Sequence, residues 1–501
     1  MNDSEIVMNP NELVQFLKKP AEAFTRNDLV RFCEEREVKM LNFRYVAEDG
    51  RLKTLNFVIT SKSHLETILT AGERVDGSNL FSFMDSASSD LYVIPLYRTA
   101  FLNPFAAVPT LELFCSFYDS AGRPLESDPG YILHRADDAF TRETGMRFLA
   151  FGELEYYVVA PAEQLYPGVD QKGYHESAPF ASFGHIRNEA MLMIARAGGI
   201  IKYGHSEVGC FTEGDTYYEQ HEIEFLPAPV EQAARQIILA KWILRMLGRR
   251  YGVEISFAPK IAAGMAGSGM HFHMMIEKDG ENLTAVDGRL SDSSRKMIAG
   301  ILDAADALTA FGNTIPTSYL RLVPEQEAPT KICWGDRNRS VVIRVPLGWN
   351  GTGDMVQDAN PLEPSVTTRG LSKQTFEFRV PDGSADICLT LAGLLVTSLR
   401  GLKMPDALER ARQLYVDEQI SVPGQKKKME GLRDLPLSCV ESAEALEKKR
   451  RLFEVDRIFP PGLIESRINR LKSFNDRGLS EQLYRKSDEL RKLVDRYIHV
   501  G

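Results

Sequence analysis

A chain of 501 residues is too long for one ordinary domain and ample for a large core. Its 44% hydrophobic and 26% charged content is that of a soluble globular protein, and a net charge of -9 gives no reason to expect nucleic acid or an anionic membrane as partner. No apolar run approaches the roughly 20 residues that span a bilayer. The opening MNDSEIVMNPNEL has neither a basic nor an apolar signal region, and the six scattered cysteines form no CxxC. Both features fit a reduced, cytoplasmic setting better than a disulfide framework.

In chain order, residues 11–36 read as helical, with Asn11 as a cap and Pro20 dividing the stretch into two short helices. VKMLNFRYVA and LKTLNFVIT read as two strands around a turn at Glu48-Asp49-Gly50. Residues 74–79 read as a polar loop. Asp85 and Asp90 flank a Ser-rich turn before a strand at LYVIPLY. The composition changes at Asp128-Pro129-Gly130, which places a domain boundary near residue 127. Beyond it, the pattern predicts a helix over 131–144 and a strand over 146–160, then helices over 186–197, 227–252, 294–311 and 387–401. Residues 344–374, rich in Gly, Pro, Asn and Thr, read mostly as a long loop, and 440–499 as a charged tail of two or three packed helices.

Chemistry concentrates in the segment GMAGSGMHFHMM, residues 264–275. Gly267 and Gly269 let backbone approach a ligand closely, and on a strand His271 and His273 share one face. The pair reads either as a ligand site or as two partly buried structural histidines. Four other segments carry a related pattern. Glu153 and Glu155 share a strand face, where like charges repel unless a cation lies between them. The others hold Glu207 with Glu222, Glu377 with Arg379, and the run from Arg321 through Glu327 to Arg339 and Arg344. Each has a plain alternative as an exposed face or a surface ion pair. Together they point elsewhere: many carboxylates with one imidazole suit Mg²⁺ or Mn²⁺, and adjacent arginines suit phosphate and carboxylate groups. That is a kit for phosphoryl transfer, although neither GxxxxGK[ST] nor GxGxxG is present.

Taken in order, GSGMHFH, RLVPEQEAP, RNRSVVIRVP and FEFRVPD resemble the glutamine synthetase family, over most of the chain from about Val38 onward. The resemblance implies an α+β fold: a small N-terminal β-grasp domain with a helical extension, residues 1–127, and a large catalytic domain built on an antiparallel sheet, residues 128–501. It implies stacked homo-oligomeric rings, commonly dodecamers, with active sites between subunits. It places two or three Mg²⁺ or Mn²⁺ ions per site. Glu155, Glu207 and Glu222 match the ligands of one metal, and Glu153, His271 and Glu377 those of another. Arg321 and Arg379, with the Gly267 backbone, match the glutamate clamp. Arg339 and Arg344 match groups that meet ATP phosphates, and His273 a nucleotide contact. Glu327 matches a flap carboxylate. Asp76, with Tyr174 beside it, matches the ammonium-binding groups, Asp76 being contributed by a neighbouring subunit.

The activity implied is ATP-dependent ligation of ammonia to glutamate through a γ-glutamyl phosphate. Departures from the family pattern keep two alternatives open. Ala266 and Asn79, in place of a frequent asparagine and serine, suit a γ-glutamyl-amine synthetase using another amine. Altered residues near the nucleotide, Met275, Ser372 and Thr375, suit a catalytically silent ring-forming homologue. Glu207 and Glu222 are also unusually far apart in sequence. A zinc hydrolase built on HxH is disfavoured by the excess of carboxylates.

Overall fold

Two strand-forming stretches joined at Asp49-Gly50, where Gly50 takes φ +77°, start a sheet near the N-terminus. The computed structural model describes residues 3–81, 84, 89–323, 328–348, 354–364, 373–416, 431–483 and 487–501. The main path of the first, six-stranded sheet comprises β1 (Met40–Val46), β2 (Leu52–Val58), β3 (Glu73–Asp76), β4 (Asp90–Pro95) and β5 (Thr110–Tyr118), in the order β2-β1-β5-β4-β3, and the short strand Phe101–Leu102 pairs with β5 off that path. β1 and β5 run parallel; the other neighbours are antiparallel. Helices α1 (Glu12–Leu17), α2 (Arg26–Glu35) and α3 (Lys62–Ala71) share one apolar core with this sheet through Leu13, Leu29, Phe32, Ile68, Phe43 and Phe117. Asn11 caps α1, its side chain accepting from Leu13 N at 2.9 Å, and Pro20 separates α1 from α2 as expected. The expected polar loop at 74–79 is instead the edge strand β3 followed by a 3-10 turn, Gly77–Asn79. Backbone pairing of Glu73–Asp76 with β4 overrides the polar composition there.

A second, ten-stranded sheet is organised on β6 (Arg147–Pro161). Its main path also includes β7 (Ile201–Glu213), β8 (Thr216–Phe225), β9 (Met270–Lys278), β10 (Lys331–Asp336), β11 (Val341–Val345) and β12 (Phe376–Phe378). The order is β10-β11-β12-β9-β6-β8-β7, antiparallel except between β10 and β11. Helices cover one face. α4 (Pro129–Thr144) and α5 (Val230–Tyr251) pack on β6, and Ile237 of α5 lies so close to Gly152 that a Cβ there would meet its Cδ1 at 2.7 Å. Since side chains alternate, Gly152, Leu154 and Tyr156 belong to the helix-covered face and Glu153 and Glu155 to the other.

Other expectations change in detail. The helix expected over 294–311 is two, α6 (Asp292–Asp303) and α7 (Ala305–Gly312). Lys449 Nζ satisfies the Asp303 carbonyl at 2.5 Å, so the first helix can end there. The tail holds four helices among the described residues: Cys439–Phe453, Pro461–Ser473, Leu479–Leu483 and Ser487–Tyr497. Of the expected loop 344–374, Arg344 ends up within β11, and Met355–Ala359 forms a helical turn capped by Asp354. Positions 349–353 and 365–372 lie outside the described residues, as do 85–88 of the Ser-rich turn. Among the described residues no single helix is long and apolar enough to cross a membrane.

The two sheets communicate through a buried ion pair. Glu112 on β5 is fully buried and accepts from Arg44 Nε, from Asn42 Nδ2 at 2.7 Å and from Asn103 Nδ2 at 2.5 Å. Arg44 in turn lies 4.6 Å from the ring centroid of Trp242 on α5. Glu112→Ala leaves the Arg44 charge buried without its partner, which should cost about 3–5 kcal/mol. Calorimetry should show the melting temperature fall clearly, and less for Glu112→Gln, which keeps an acceptor.

Candidate active site

Strand register brings the charged residues of distant segments side by side. Across the sheet, Arg344 pairs with Glu377, Glu377 with His273, and His273 with Phe151. One step along, His271 pairs with Glu153 and Glu153 with Glu224; next, Glu155 pairs with Glu222 and Glu222 with His205. All carry side chains to the uncovered face, and a cavity of about 540 Å³ opens over it. The long interval between Glu207 and Glu222 is a hairpin: β7 and β8 turn at Gly214, φ +59°, and return Glu222 beside the strand that carries Glu207.

Both imidazoles touch Glu153. His271 Nδ1 lies 3.0 Å from Glu153 Oε2, and His273 Nε2 lies 2.7 Å from Oε1. His271 Nδ1 is also 3.3 Å from Glu377 Oε1. Three groups place one ligand atom from each member within 4.8 Å of the others: Glu153–His273–Glu377, His205–Glu207–Glu222 and Glu153–Glu222–Glu224. This grouping differs from the expected sets. His273, expected at the nucleotide alone, also faces Glu153 and Glu377, because the period-two spacing puts both histidines against the same carboxylates. His205 and Glu224 enter groups that the motifs did not assign them. Glu155 falls in none of the three; its Oε2 accepts from Gly269 N at 2.7 Å and from Gln220 Nε2 at 3.2 Å.

The charges push against one another. Burial, then the neighbouring Glu207, raise the Glu155 carboxyl to about 7. Burial and the surrounding Glu153, Glu155, Glu207 and Glu224 raise Glu222 well above the carboxylate range. Burial acts the same way on Glu153 and Glu377. There it is outweighed, by the two imidazoles at Glu153, which falls well below the range, and chiefly by Arg379 at Glu377, which is lowered. Burial and Arg379 bring His271 down to about 4, whereas Glu153 overcomes burial to raise His273.

The loop before β9 is held by close contacts. A Cβ at Gly269 would stand 2.4 Å from His271 Nε2 and 2.8 Å from Arg321 Nη2, and one at Gly267 would meet the Pro259 carbonyl at 2.7 Å. Glycine is therefore required at both. Gln220 Nε2 donates to the Gly267 carbonyl at 3.0 Å, and the Tyr157 hydroxyl to Ala266 O at 2.9 Å. Arg321 is buried and fixed by the carbonyls of Val380 (2.9 Å) and Arg379 (3.1 Å) and by His271 Nε2 (3.1 Å). Arg379 bonds Glu377 and the Arg339 carbonyl, and Arg344 Nη1 reaches Glu377 Oε2 at 3.1 Å.

Of the residues singled out in the sequence, Glu153, Glu155, Glu207, Glu222, Gly267, His271, His273, Arg321, Arg339, Arg344, Arg379 and Tyr174 line the cavity, and Glu377 is buried beneath it. Tyr174 is half-exposed and stacks on His175, with ring centroids 4.3 Å apart. Asp76 does not line the cavity. It is exposed at the end of β3, where Ser78 N (2.9 Å), Ser78 Oγ (2.7 Å) and Asn79 Nδ2 (2.6 Å) donate to its carboxylate. Glu327 lies outside the described residues. Gln220 and Lys202 were missed. Gln220 stands at the same period-two spacing as Glu222 and Glu224, on the face that lines the site, whereas Lys202 reaches it through an irregularity in the pairing of β7 with β8.

The donor set fits hard divalent cations. Buried oxygens from three glutamates within 4.8 Å of one another repel, and a Mg²⁺ or Mn²⁺ ion among them would relieve that repulsion.

A family model described as "Glutamine synthetase, beta-Grasp domain" matches residues 37–120, and "Glutamine synthetase, catalytic domain" matches 126–470. A glutamine synthetase from Staphylococcus epidermidis is 28% identical over 449 residues, covering 86% of this chain and 91% of that protein. Among solved structures, the cryo-EM structure of Plasmodium falciparum glutamine synthetase superposes with a TM-score of 0.73 at 20% identity, covering 91% of this chain and 97% of that one. An apo structure of GmaS gives a TM-score of 0.70 at 18% identity, covering 90% and 97%.

The raised carboxyls make stability pH-dependent. A folded pKa above the unfolded one contributes stability that is present at low pH and lost as pH rises through the folded value. For Glu155 that window runs from 4.5 to about 7, and Glu222 acts in the same sense. The melting temperature of metal-free protein should therefore fall as pH rises through this range. Saturating Mn²⁺ should flatten the profile, and Glu222→Gln should raise the metal-free melting temperature at pH 8. Scanning calorimetry across pH, with and without Mn²⁺, reads all three.

Proposed function

This chain belongs to the glutamine synthetase family, and we propose that it joins ammonia to the γ-carboxylate of glutamate, using ATP, through a γ-glutamyl phosphate. One observation carries the reading: a ladder of carboxylates and imidazoles is bordered by Arg321, Arg339, Arg344 and Arg379 in a single cavity. A carboxylate is a poor electrophile until one oxygen becomes a good leaving group. Phosphorylation supplies that, and the arginines suit the phosphoryl charge.

In this reading Arg321 and Arg379, already oriented by carbonyls and by Glu377, clamp glutamate beside the Gly267 backbone. Arg339 and Arg344 meet the ATP phosphates, and His273 contacts the nucleotide. Glu155, Glu207 and Glu222 would hold one Mg²⁺ or Mn²⁺ ion, and Glu153, His271 and Glu377 another, supplying charge neutralisation at the phosphates. Asp76 of a neighbouring subunit, with Tyr174 beside it, helps bind and deprotonate ammonium, and the flap carboxylate Glu327 shields the intermediate from water and takes a proton from the ammonium. A homo-oligomeric ring with sites between subunits follows from that role of Asp76, which does not line the cavity of its own chain. The division into residues 1–127 and 128–501 belongs to the same reading.

A second reading, another amine in place of ammonia, rests on Ala266. Its small side chain lines the same cavity as Tyr174, and its backbone N–H donates to Gln171 Oε1 at 2.8 Å. Phosphate release with ATP, glutamate and Mg²⁺ or Mn²⁺ should be compared across ammonium, methylamine, ethanolamine and a polyamine. Ammonium should lead by a wide margin, and turnover only with a larger amine would transfer the function to a γ-glutamyl-amine ligase. Silence with every amine would overturn both. Glu327→Ala should lose at least about 10²-fold in synthesis, the scale of a lost proton-transfer group.

A further inference from the structure

Strand β7 breaks the alternation of its side chains at its start. Ile201 stands opposite Phe225 and Tyr203 opposite Glu224, so Lys202 is an extra residue in the ladder. A bulge of this kind re-aims side chains locally. Here Lys202 Nζ lies 2.5 Å from Glu224 Oε1 and lines the candidate cavity. The ring centroids of Tyr203 and Phe151 flank it at 4.8 and 5.5 Å. The Lys202 side chain is 34% exposed and that of Glu224 only 2%.

Glu224 is not among the six residues that the family pattern assigns to metal. Yet one of its oxygens lies within 4.8 Å of an oxygen of Glu153 and of Glu222. Its Oε2 is buried and has no hydrogen-bond partner among the described residues. A buried carboxylate oxygen in that state is a cost that a nearby cation removes. Two cations can therefore claim Glu224: a divalent ion among the three glutamates, or the ammonium that the chain itself supplies. The ammonium is tethered to the neighbouring strand and held between two rings, so it acts at high effective concentration.

We propose that Lys202 is a built-in cation that withholds Glu224 from divalent metal, and so sets how many divalent ions this site binds and how tightly. Lys202 acts through Glu224 and is a positioning residue. The inference rests on the metal-binding reading of Glu153 and Glu222 above.

The test titrates the full chain with Mn²⁺ in the absence of nucleotide, counting bound ions by electron paramagnetic resonance and affinities by calorimetry. Lys202→Met should bind one more Mn²⁺ per chain than wild type, or tighten its weakest Mn²⁺ by about tenfold. Lys202→Arg should behave as wild type, and Lys202→Met combined with Glu224→Gln should return to it. Glu224→Gln alone should leave the wild-type count unchanged, which keeps the proposal testable even if Lys202→Met does not fold. Unchanged Mn²⁺ binding in Lys202→Met overturns the proposal, and an ATP affinity lost with an unaltered Mn²⁺ count would assign Lys202 to the nucleotide instead. A Mn²⁺ lost in Glu224→Gln overturns it as well. No Mn²⁺ bound by wild type would defeat the metal reading itself, and this proposal with it.

Discussion

Mutual repulsion among glutamates on one sheet face is the constraint that the rest of this site answers. Glu153, Glu155, Glu222, Glu224 and Glu377 come from three strands, and register leaves them no means of avoiding one another. Burying like charges at such separations is costly unless each finds compensation. The chain supplies much of it. Arg379 and Arg344 neutralise Glu377, Glu153 is met by the raised His273 imidazole and hydrogen-bonded by His271, and Lys202 meets Glu224. What it leaves uncompensated is concentrated at Glu155 and Glu222, the two whose carboxyls are raised. The residual imbalance is thus localised in the centre of the cavity. A folded protein that keeps such a deficit at one place is poised for a cation there.

Holding that arrangement needs a rigid backing, and the apolar face of the same strands provides it. Gly152 lets Ile237 of α5 press directly on the sheet between Glu153 and its neighbours. The glycine loop is fixed from three sides: by Gln220 from the hairpin, by Tyr157 from β6 and by Gln171 from the preceding loop. Behind Arg321, Asn313 Nδ2 donates to Asp382 Oδ2 at 2.8 Å, and Gly269 bridges to Asp382. The last residue of FEFRVPD therefore ties the arginine, the loop and helix α7 together. The position of each charged group is over-determined, as a site that works by electrostatic preorganisation requires.

Much of this was legible in the sequence because strand chemistry has a period of two. That spacing alone puts Glu153 with Glu155 and His271 with His273 on common faces, and both pairs share the face they were expected to share. The capping of α1 by Asn11 and the break at Pro20 were legible for equally local reasons. Three features were not. The contact of His273 with Glu153 depends on which strand lies beside β9, a fact of topology. The roles of Gln220 and Lys202 depend on a hairpin register and a bulge, which no motif encodes. Strand β3 was hidden because Glu73–Asp76 offers one apolar side chain, Val75, among charged ones, and its place is set largely by backbone pairing with β4.

Strand β3 also bears on how a complete site could arise. It is the edge of its sheet, and Asp76 stands at its end with its carboxylate already organised by Ser78 and Asn79. Those hydrogen bonds lower the Asp76 carboxyl and keep it charged. Beyond capping the Gly77–Asn79 turn, this charged, pre-oriented group on an exposed edge does not line its own chain's cavity. In the proposed ring it would face the cavity of a neighbour, and the edge strand would gain the cover that isolated edges lack. Amine binding and assembly would then be one property: the cavity supplies Tyr174, the adjacent chain supplies the carboxylate, and neither subunit alone holds the full set.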